Sequence, residues 1–171
     1  MLVEMIIHSR GGQGGVTAAK FLATAAMIQG FYTQAIPQFG PERRGARVQT
    51  YLRISDKQIR RRSSIKNPNF IAIFDKGIEI VNFSGTVILN ARGPMKIGER
   101  TFYVDATSIA KKHDLVNAGW AILSAPMSGA IARAIGIELE NLIKAIRIEL
   151  GEKAEKSCMA AKEAYEVVKW I

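Results

Sequence analysis

Apolar and polar positions alternate between two rhythms along this chain. Residues 2–7 are an apolar run and residues 15–29 an Ala-rich run. Between them lies His8-Ser9-Arg10-Gly11-Gly12-Gln13-Gly14-Gly15-Val16-Thr17. That order predicts a strand, a glycine turn and a helix. The helix has one charge, Lys20, and its apolar residues go round several faces, so it is expected to be buried on all sides. Its small residues suit close packing against another subunit or a central place in the chain's own core.

Tyr32 to Ile36 predicts a short strand ended by Pro37. Residues 46–54 alternate. Ala46, Val48, Thr50, Leu52 and Ile54 take one face, and Arg47, Gln49, Tyr51 and Arg53 take the other. This predicts a half-buried strand with a cationic outer face. A turn at 55–57 and a return through Gln58 to Ile65 suggest a basic hairpin, closed by Asn67-Pro68. Further strands are expected at 70–74, 86–90 and 101–104, with a short helical piece from Asp75 to Val81. Asp105 reads as the N-cap of a helix to about Lys112. A nearly uncharged helical stretch, 117–135, is kinked or starts near Pro126. Two charged amphipathic helices, 139–150 and 152–170, follow. Their pairs Glu149–Lys153, Glu152–Lys156 and Lys162–Glu166 read as solvated faces.

Strands alternating with helices imply an α/β fold. The expected architecture is a three-layer Rossmann-like domain with a mixed sheet and C-terminal helices. At 171 residues and 48% hydrophobic, the chain is expected to form a single domain over 1–171. Two uncharged stretches, 21–41 and 115–132, contain Gln, Asn, Ser and Pro, so neither reads as a membrane span. No signal peptide is evident, and a cytoplasmic protein is expected. Cys158 is the only cysteine, and His8 and His113 show no paired ligand spacing. No metal site and no catalytic constellation is readable.

Charge changes the picture in one place. Residues 43–66 hold seven Arg, two Lys and one Asp, so +8 of the net +9 lies in that segment. Arg43 and Arg44 follow Gly40-Pro41 and precede Gly45 on an irregular loop. Arginine suits phosphate because its planar fork donates two hydrogen bonds at once. These arginines and Arg60 to Arg62 could equally meet acidic residues of another chain. A basic nucleic-acid-binding module is the alternative reading, although Tyr51 is the only aromatic residue in the segment.

The glycine turn leaves backbone N–H groups bare at a helix start, which suits an anion as well as a tight turn. It is not a usual nucleotide motif. The last glycine of a dinucleotide fingerprint is replaced by Thr17, and no Asp or Glu occurs between Met5 and Pro41. The nearest lysine, Lys20, lies inside the predicted helix rather than closing a phosphate loop.

Several motifs together resemble the gamma subunit of 2-oxoacid:ferredoxin oxidoreductases, essentially end to end. They are Gly11-Gly12-Gln13-Gly14 with Thr17-Ala18-Ala19, the run from Pro37 through Glu42-Arg43-Arg44-Gly45 to Ala46, and Arg53-Ile54-Ser55-Asp56 with Ile59-Arg60. Val104 to Ala110, Gly151-Glu152-Lys153 and Ala164-Tyr165-Glu166 match as well. Glu42-Arg43-Arg44-Gly45 looks more like the pyruvate and branched-chain members than the 2-oxoglutarate ones. Ser9, Asn69 and Arg47 depart from the pattern, standing where glycine, aspartate and proline are usual. The stretch around 82–100 is also trimmed.

The resemblance implies a subunit without catalytic residues or a cofactor of its own. Thiamine diphosphate and iron–sulfur clusters would belong to alpha, beta and delta-type partner subunits or their fused equivalents. Ferredoxin would be reached through the complex, and coenzyme A would be the co-substrate. Neither nucleic acid nor membrane is an expected partner. Gly11, Gly12, Gln13, Gly14, Arg43 and Arg44 are the residues expected to contact coenzyme A or a partner chain.

Overall fold

A computed structural model describes residues 2–38, 45–80 and 83–171. The first strands are β1 (Leu2–Arg10), β2 (Tyr32–Gln38), β3 (Arg47–Ser55), β4 (Phe70–Ile73), β5 (Thr86–Asn90) and β6 (Arg100–Val104). Two short strands, β7 (Val116–Asn117) and β8 (Trp120–Ala121), and the terminal β9 (Lys169–Trp170) complete the set. The helices are α1 (Gly15–Ile28), α2 (Ala106–Lys112), α3 (Ser124–Ile135), α4 (Leu139–Leu150) and α5 (Glu155–Val167).

One mixed sheet runs in the order β2-β3-β1-β4-β5-β6-β9, as an α/β fold requires. β1, β4, β5 and β6 are parallel, while β3 is antiparallel to both β1 and β2. Val3, Met5 and Ile7 of β1 face the helices, together with Leu52, Ile54, Ala72, Ile88, Phe102 and Val104. All five helices contribute to that core. Ile71, Ile73, Val87 and Leu89 point the other way, where loop residue Ile78 closes a smaller core. The layers are therefore helices, sheet, and a third layer of irregular chain.

α1 forms because five alanines supply the strongest helix formers. It ends in a Schellman arrangement. Gly30, at φ 98°, lets its own N–H reach Met27 O at 3.0 Å and the Phe31 N–H reach Ala26 O at 2.9 Å. Its broad apolar surface is covered from within the chain. Thr24 donates to Glu149 of α4 at 2.8 Å, and Gln29 bonds Gly136 O, the Glu138 N–H and Asn141. Phe21, Leu22, Ala25 and Ala26 are all fully buried. The helix is thus a core helix, so its composition does not require a partner subunit. Lys20 and the last residues, with Met27 at 62% exposure, stand clear.

Other expectations are corrected by long-range packing. β2 continues through Pro37 to Gln38, because on an edge strand the missing N–H costs no ladder bond. Of the two readings of residues 117–135, the start near Pro126 holds, and the residues before that start are not helical. Ala118 and Gly119, both at positive φ, turn the β7–β8 hairpin, and α3 starts afterwards with Pro126 in its first turn. Residues 76–80 form turns, not a helix, with Val81 outside the described residues. The last expected helix is cut at both ends: a 3-10 turn occupies Gly151–Lys153, and β9 pairs with β6. Of the three expected ion pairs, Lys162–Glu166 forms, at 4.0 Å. Asp105 caps α2 as expected, accepting the Ser108 N–H at 3.1 Å.

The largest correction concerns β3 and the chain after it. Its expected cationic outer face is covered over its C-terminal half, where Tyr51 and Arg53 are buried and Arg53 is only 2% exposed, while Arg47 at the other end stays exposed. Residues 58–68 fold over that face without forming a strand, so there is no basic hairpin. Asn69 closes the segment: its Oδ1 accepts the Glu4 N–H at 2.8 Å and its Nδ2 donates to Leu2 O at 3.1 Å. An aspartate there would lose the second bond.

Candidate functional site

The chain leaves β1 for β2 and β3 on one side and later returns to place β4 on the other. The point between β1 and β4 is therefore the switch point of the sheet, where ligands of open α/β folds bind beyond the strand C-termini. The glycine turn lies there. Gly12 and Gly14 both have φ near 91°, a left-handed conformation that costs a side-chain-bearing residue about 1–2 kcal/mol. Gly14 also faces α3: a Cβ at Gly14 would lie 2.9 Å from Ser124 Cβ and 3.2 Å from Ser124 N.

Two helix starts meet at this contact, and the Leu123 N–H donates to Gln13 O at 2.8 Å. Neither α1 nor α3 has a side-chain cap or an acidic residue in its first turn. Among the described residues, the N–H groups of Gly12, Gly14, Gly15, Val16 and Thr17 meet no acceptor. Uncapped helix starts carry partial positive charge and favour an anion.

The expected site residues divide by role. Gly11 stitches the turn to the chain entering β3: its N–H donates to Ala46 O at 2.8 Å, and its carbonyl accepts the Gly45 N–H at 3.0 Å. Gln13 is occupied within the turn. Its Oε1 accepts the Arg10 N–H at 2.8 Å, and its Nε2 donates to Asp75 Oδ2 at 3.3 Å. Gly12 and Gly14 supply the bare backbone. Arg43 and Arg44 lie outside the described residues. The loop that carries them returns at Gly45, beside Gly11 and the indole of Trp120.

Three residues of this neighbourhood escape a linear reading. Arg10 pairs with Asp75 at 3.3 Å and donates to Gly45 O at 3.2 Å. Asp75 in turn accepts the Gly77 N–H at 2.8 Å. Asp75 follows an apolar strand, and that position at a strand C-terminus was the available signal. His8 is 6% exposed, and its Nδ1 has no hydrogen-bond partner. Burial, with the charge of Arg47 second, pulls its pKa down to about 4, so the imidazole is neutral at neutral pH.

This arrangement can hold an anion, but among the described residues it offers no nucleophile with a base. Among the described residues, no group of His, Cys, Asp and Glu could bind a metal ion. Cys158 is buried on α5 with its thiol 3.9 Å from Ile143 O, and burial raises its pKa. It is a packing residue. Among the described residues, no helix is long and apolar enough to cross a membrane.

Residues 4–167 match the pyruvate ferredoxin/flavodoxin oxidoreductase family. The chain belongs to that family. Across 98% of its length it is 41% identical to pyruvate synthase subunit PorC of Methanothermobacter thermautotrophicus, covering 96% of that protein. It is 39% identical to the pyruvate/ketoisovalerate oxidoreductases common subunit gamma of Pyrococcus abyssi, over 96% of each chain. The crystal structure of pyruvate oxidoreductase subunit PORC from Thermotoga maritima superposes with a TM-score of 0.82 at 29% identity. That match covers 99% of this chain and 98% of the other.

In this chain the turn Gly11-Gly12-Gln13-Gly14 packs two helix starts together and leaves N–H groups of the first bare. The departure at Ser9 is accommodated locally. A Cβ at Gly15 would overlap Ser9 Oγ, so the side chain at position 9 fills space that a residue at 15 leaves empty. The nucleic-acid alternative is not supported. Among its described residues the basic segment does not form one continuous surface, because Arg53 is buried and paired with Glu4 at 3.0 Å. Arg47 and Ser55 occupy opposite ends of β3, about 26 Å apart at ~3.3 Å per residue.

Proposed function

We propose that this chain is the gamma subunit of a 2-oxoacid:ferredoxin oxidoreductase of the pyruvate type, and that its glycine turn helps hold the phosphates of coenzyme A. The observation that carries the reading is the meeting of two uncapped helix starts on bare glycine backbone at the switch point of the sheet. Coenzyme A has a diphosphate and a 3′-phosphate, so its site must supply several donors and positive charge. The N–H groups of Gly12, Gly14 and Gly15 and the exposed Arg47 fit that demand. Arg43 and Arg44, on the adjoining loop, would add two forks. Gln13 acts at one remove, by fixing Arg10 and Asp75 around the turn.

Coenzyme A supplies the thiol that takes up the acyl group. This chain's residues bind and orient, while decarboxylation and electron transfer belong to thiamine-binding and cluster-binding alpha, beta and delta-type partners. Ferredoxin is served through those partners. The whole chain acts as one domain in a cytoplasmic complex.

The test is made in the assembled enzyme. Arg43→Ala or Arg44→Ala is expected to raise the coenzyme A KM about tenfold, as loss of one charge-assisted hydrogen bond worth ~1.5 kcal/mol implies. Decarboxylation of the 2-oxoacid on thiamine should be unchanged. If the complex instead dissociates while coenzyme A affinity stays normal in the surviving fraction, these arginines are interface residues and the assignment fails.

A further inference from the structure

The basic segment is split by the fold. Arg47 is at the glycine-turn end of β3, opposite Arg10, whereas Ser55 is opposite Leu2 at the far end. Lys57, Arg60, Arg61, Arg62 and Lys66 follow that far end, and all five are exposed. They cannot serve the same phosphates as the turn. Lys57 interacts with its neighbour Asp56, but among the described residues Arg60, Arg61, Arg62 and Lys66 form no ion pair.

These cations stand on an ordered support. Arg53, almost fully buried below them, donates from Nε to Glu4 at 3.0 Å, from Nη1 to Gln34 Oε1 at 2.8 Å and from Nη2 to the carbonyl of Ser63 at 2.9 Å. Gln34 passes the restraint on, donating to the carbonyl of Arg61 at 2.6 Å. Ile65, 4% exposed, anchors the end of the loop in the interior. Thus a stretch without regular secondary structure has two carbonyls clamped and one side chain buried. What remains outward is three consecutive arginines and two lysines.

Burying a guanidinium is costly and is tolerated only when it is paired and hydrogen-bonded. Here that arrangement orders a loop whose exposed charges repel one another. We infer that the loop from Lys57 to Lys66 is a preformed docking surface for an acidic face of a partner subunit in the same oxidoreductase complex. The inference rests on the reading of this chain as a gamma subunit. A backbone fixed before contact suits a permanent partner, since little ordering entropy remains to be lost. Arginine forks suit carboxylates, and the neighbouring lysines add field rather than geometry.

The experiment is reconstitution of the complex from wild-type partners with the Arg60→Glu/Arg61→Glu/Arg62→Glu chain. All three side chains are exposed, so thermal unfolding of the variant should match the wild type and serves as the folding control. Association with the partners is expected to weaken about 100-fold, because like charges then face each other. The wild-type interaction should weaken as salt rises, whereas the variant's residual association should strengthen, because salt screens the new repulsion. Arg60→Lys/Arg61→Lys/Arg62→Lys should restore most of the binding.

Undiminished assembly of the charge-reversed chain overturns the proposal. So does normal assembly with a raised KM for ferredoxin alone, which would make the mobile electron acceptor the occupant. Loss of nucleic-acid binding with assembly intact overturns it as well. If the wild-type chain itself assembles with no partner, the gamma-subunit reading fails and takes this inference with it; failure of the variant arm alone leaves that reading standing.

Discussion

Ser9 and Gly15 share one space, and the consequence can be measured. Gly15 opens α1 at an ordinary φ, so alanine is permitted there by the backbone. What forbids it is Ser9 of β1. A Cβ at position 15 would overlap Ser9 Oγ and lie 3.0 Å from Ser9 Cβ, whereas its 3.5 Å contact with Ile7 Cγ2 is ordinary. Ser9 is 1% exposed, so its side chain would have to be repacked inside the protein. Overpacking of this kind costs ~1–3 kcal/mol. Replacing a glycine recovers about 0.4–1 kcal/mol from the unfolded chain. Gly15→Ala is therefore expected to destabilise by about 1–2 kcal/mol, or roughly 3–6 °C in Tm for a chain of this size. Ser9→Gly alone should cost about 0.5–1 kcal/mol, the ordinary cost of glycine in a strand. With both changes the overlap is gone, so the pair should couple favourably by about 1.5 kcal/mol and the double variant should lie near the wild type. Urea unfolding of the four proteins, with m-values compared, closes the cycle. Additivity within about 0.3 kcal/mol would refute the shared-space argument.

Two further outcomes follow from the same structure. His8 has a folded pKa near 4 against an ordinary 6.5, so between those values the unfolded chain binds more protons than the folded one. Its contribution is complete above about pH 6.5 and is lost as pH falls towards 4, by up to about 3 kcal/mol. Denaturation across that window should show the slope in the wild type and a flatter profile in His8→Gln, and an imidazole seen by NMR to titrate near 6.5 would contradict the burial argument. The isolated chain, given thiamine diphosphate, coenzyme A and ferredoxin, should not turn over pyruvate; measurable acetyl-coenzyme A formation would refute the assignment of chemistry to the partners.

Legibility in the sequence followed locality. β1, the glycine turn, α1, β4 to β6 and the Asp105 cap were readable because apolar period, glycine and capping residues all lie within a few positions of one another. The burial of Arg53 is not legible locally, because strand alternation says which residues share a face but not whether chain covers it. Its partners are Glu4, Gln34 and Ser63, up to 49 residues away. The residues of β9 read as the end of a helix because their pairing with β6 is long-range and only two residues long. The β7–β8 hairpin was hidden by Ala118, which occupies a positive φ usually left to glycine or asparagine. At the site, the turn itself was visible. The contacts that shape it, with Asp75 and Ser124, depend on the β1–β4 register and on α3 packing.

The central claim is that the glycine turn of this subunit faces coenzyme A. Hydrogen exchange of the assembled enzyme, with and without saturating coenzyme A, tests it most directly. Amides of Gly12 and of residues 14–17, which meet no acceptor among the described residues, should slow with coenzyme A and remain unchanged with the 2-oxoacid alone. Unchanged exchange at these amides, with coenzyme A protection confined to other subunits, would contradict the account.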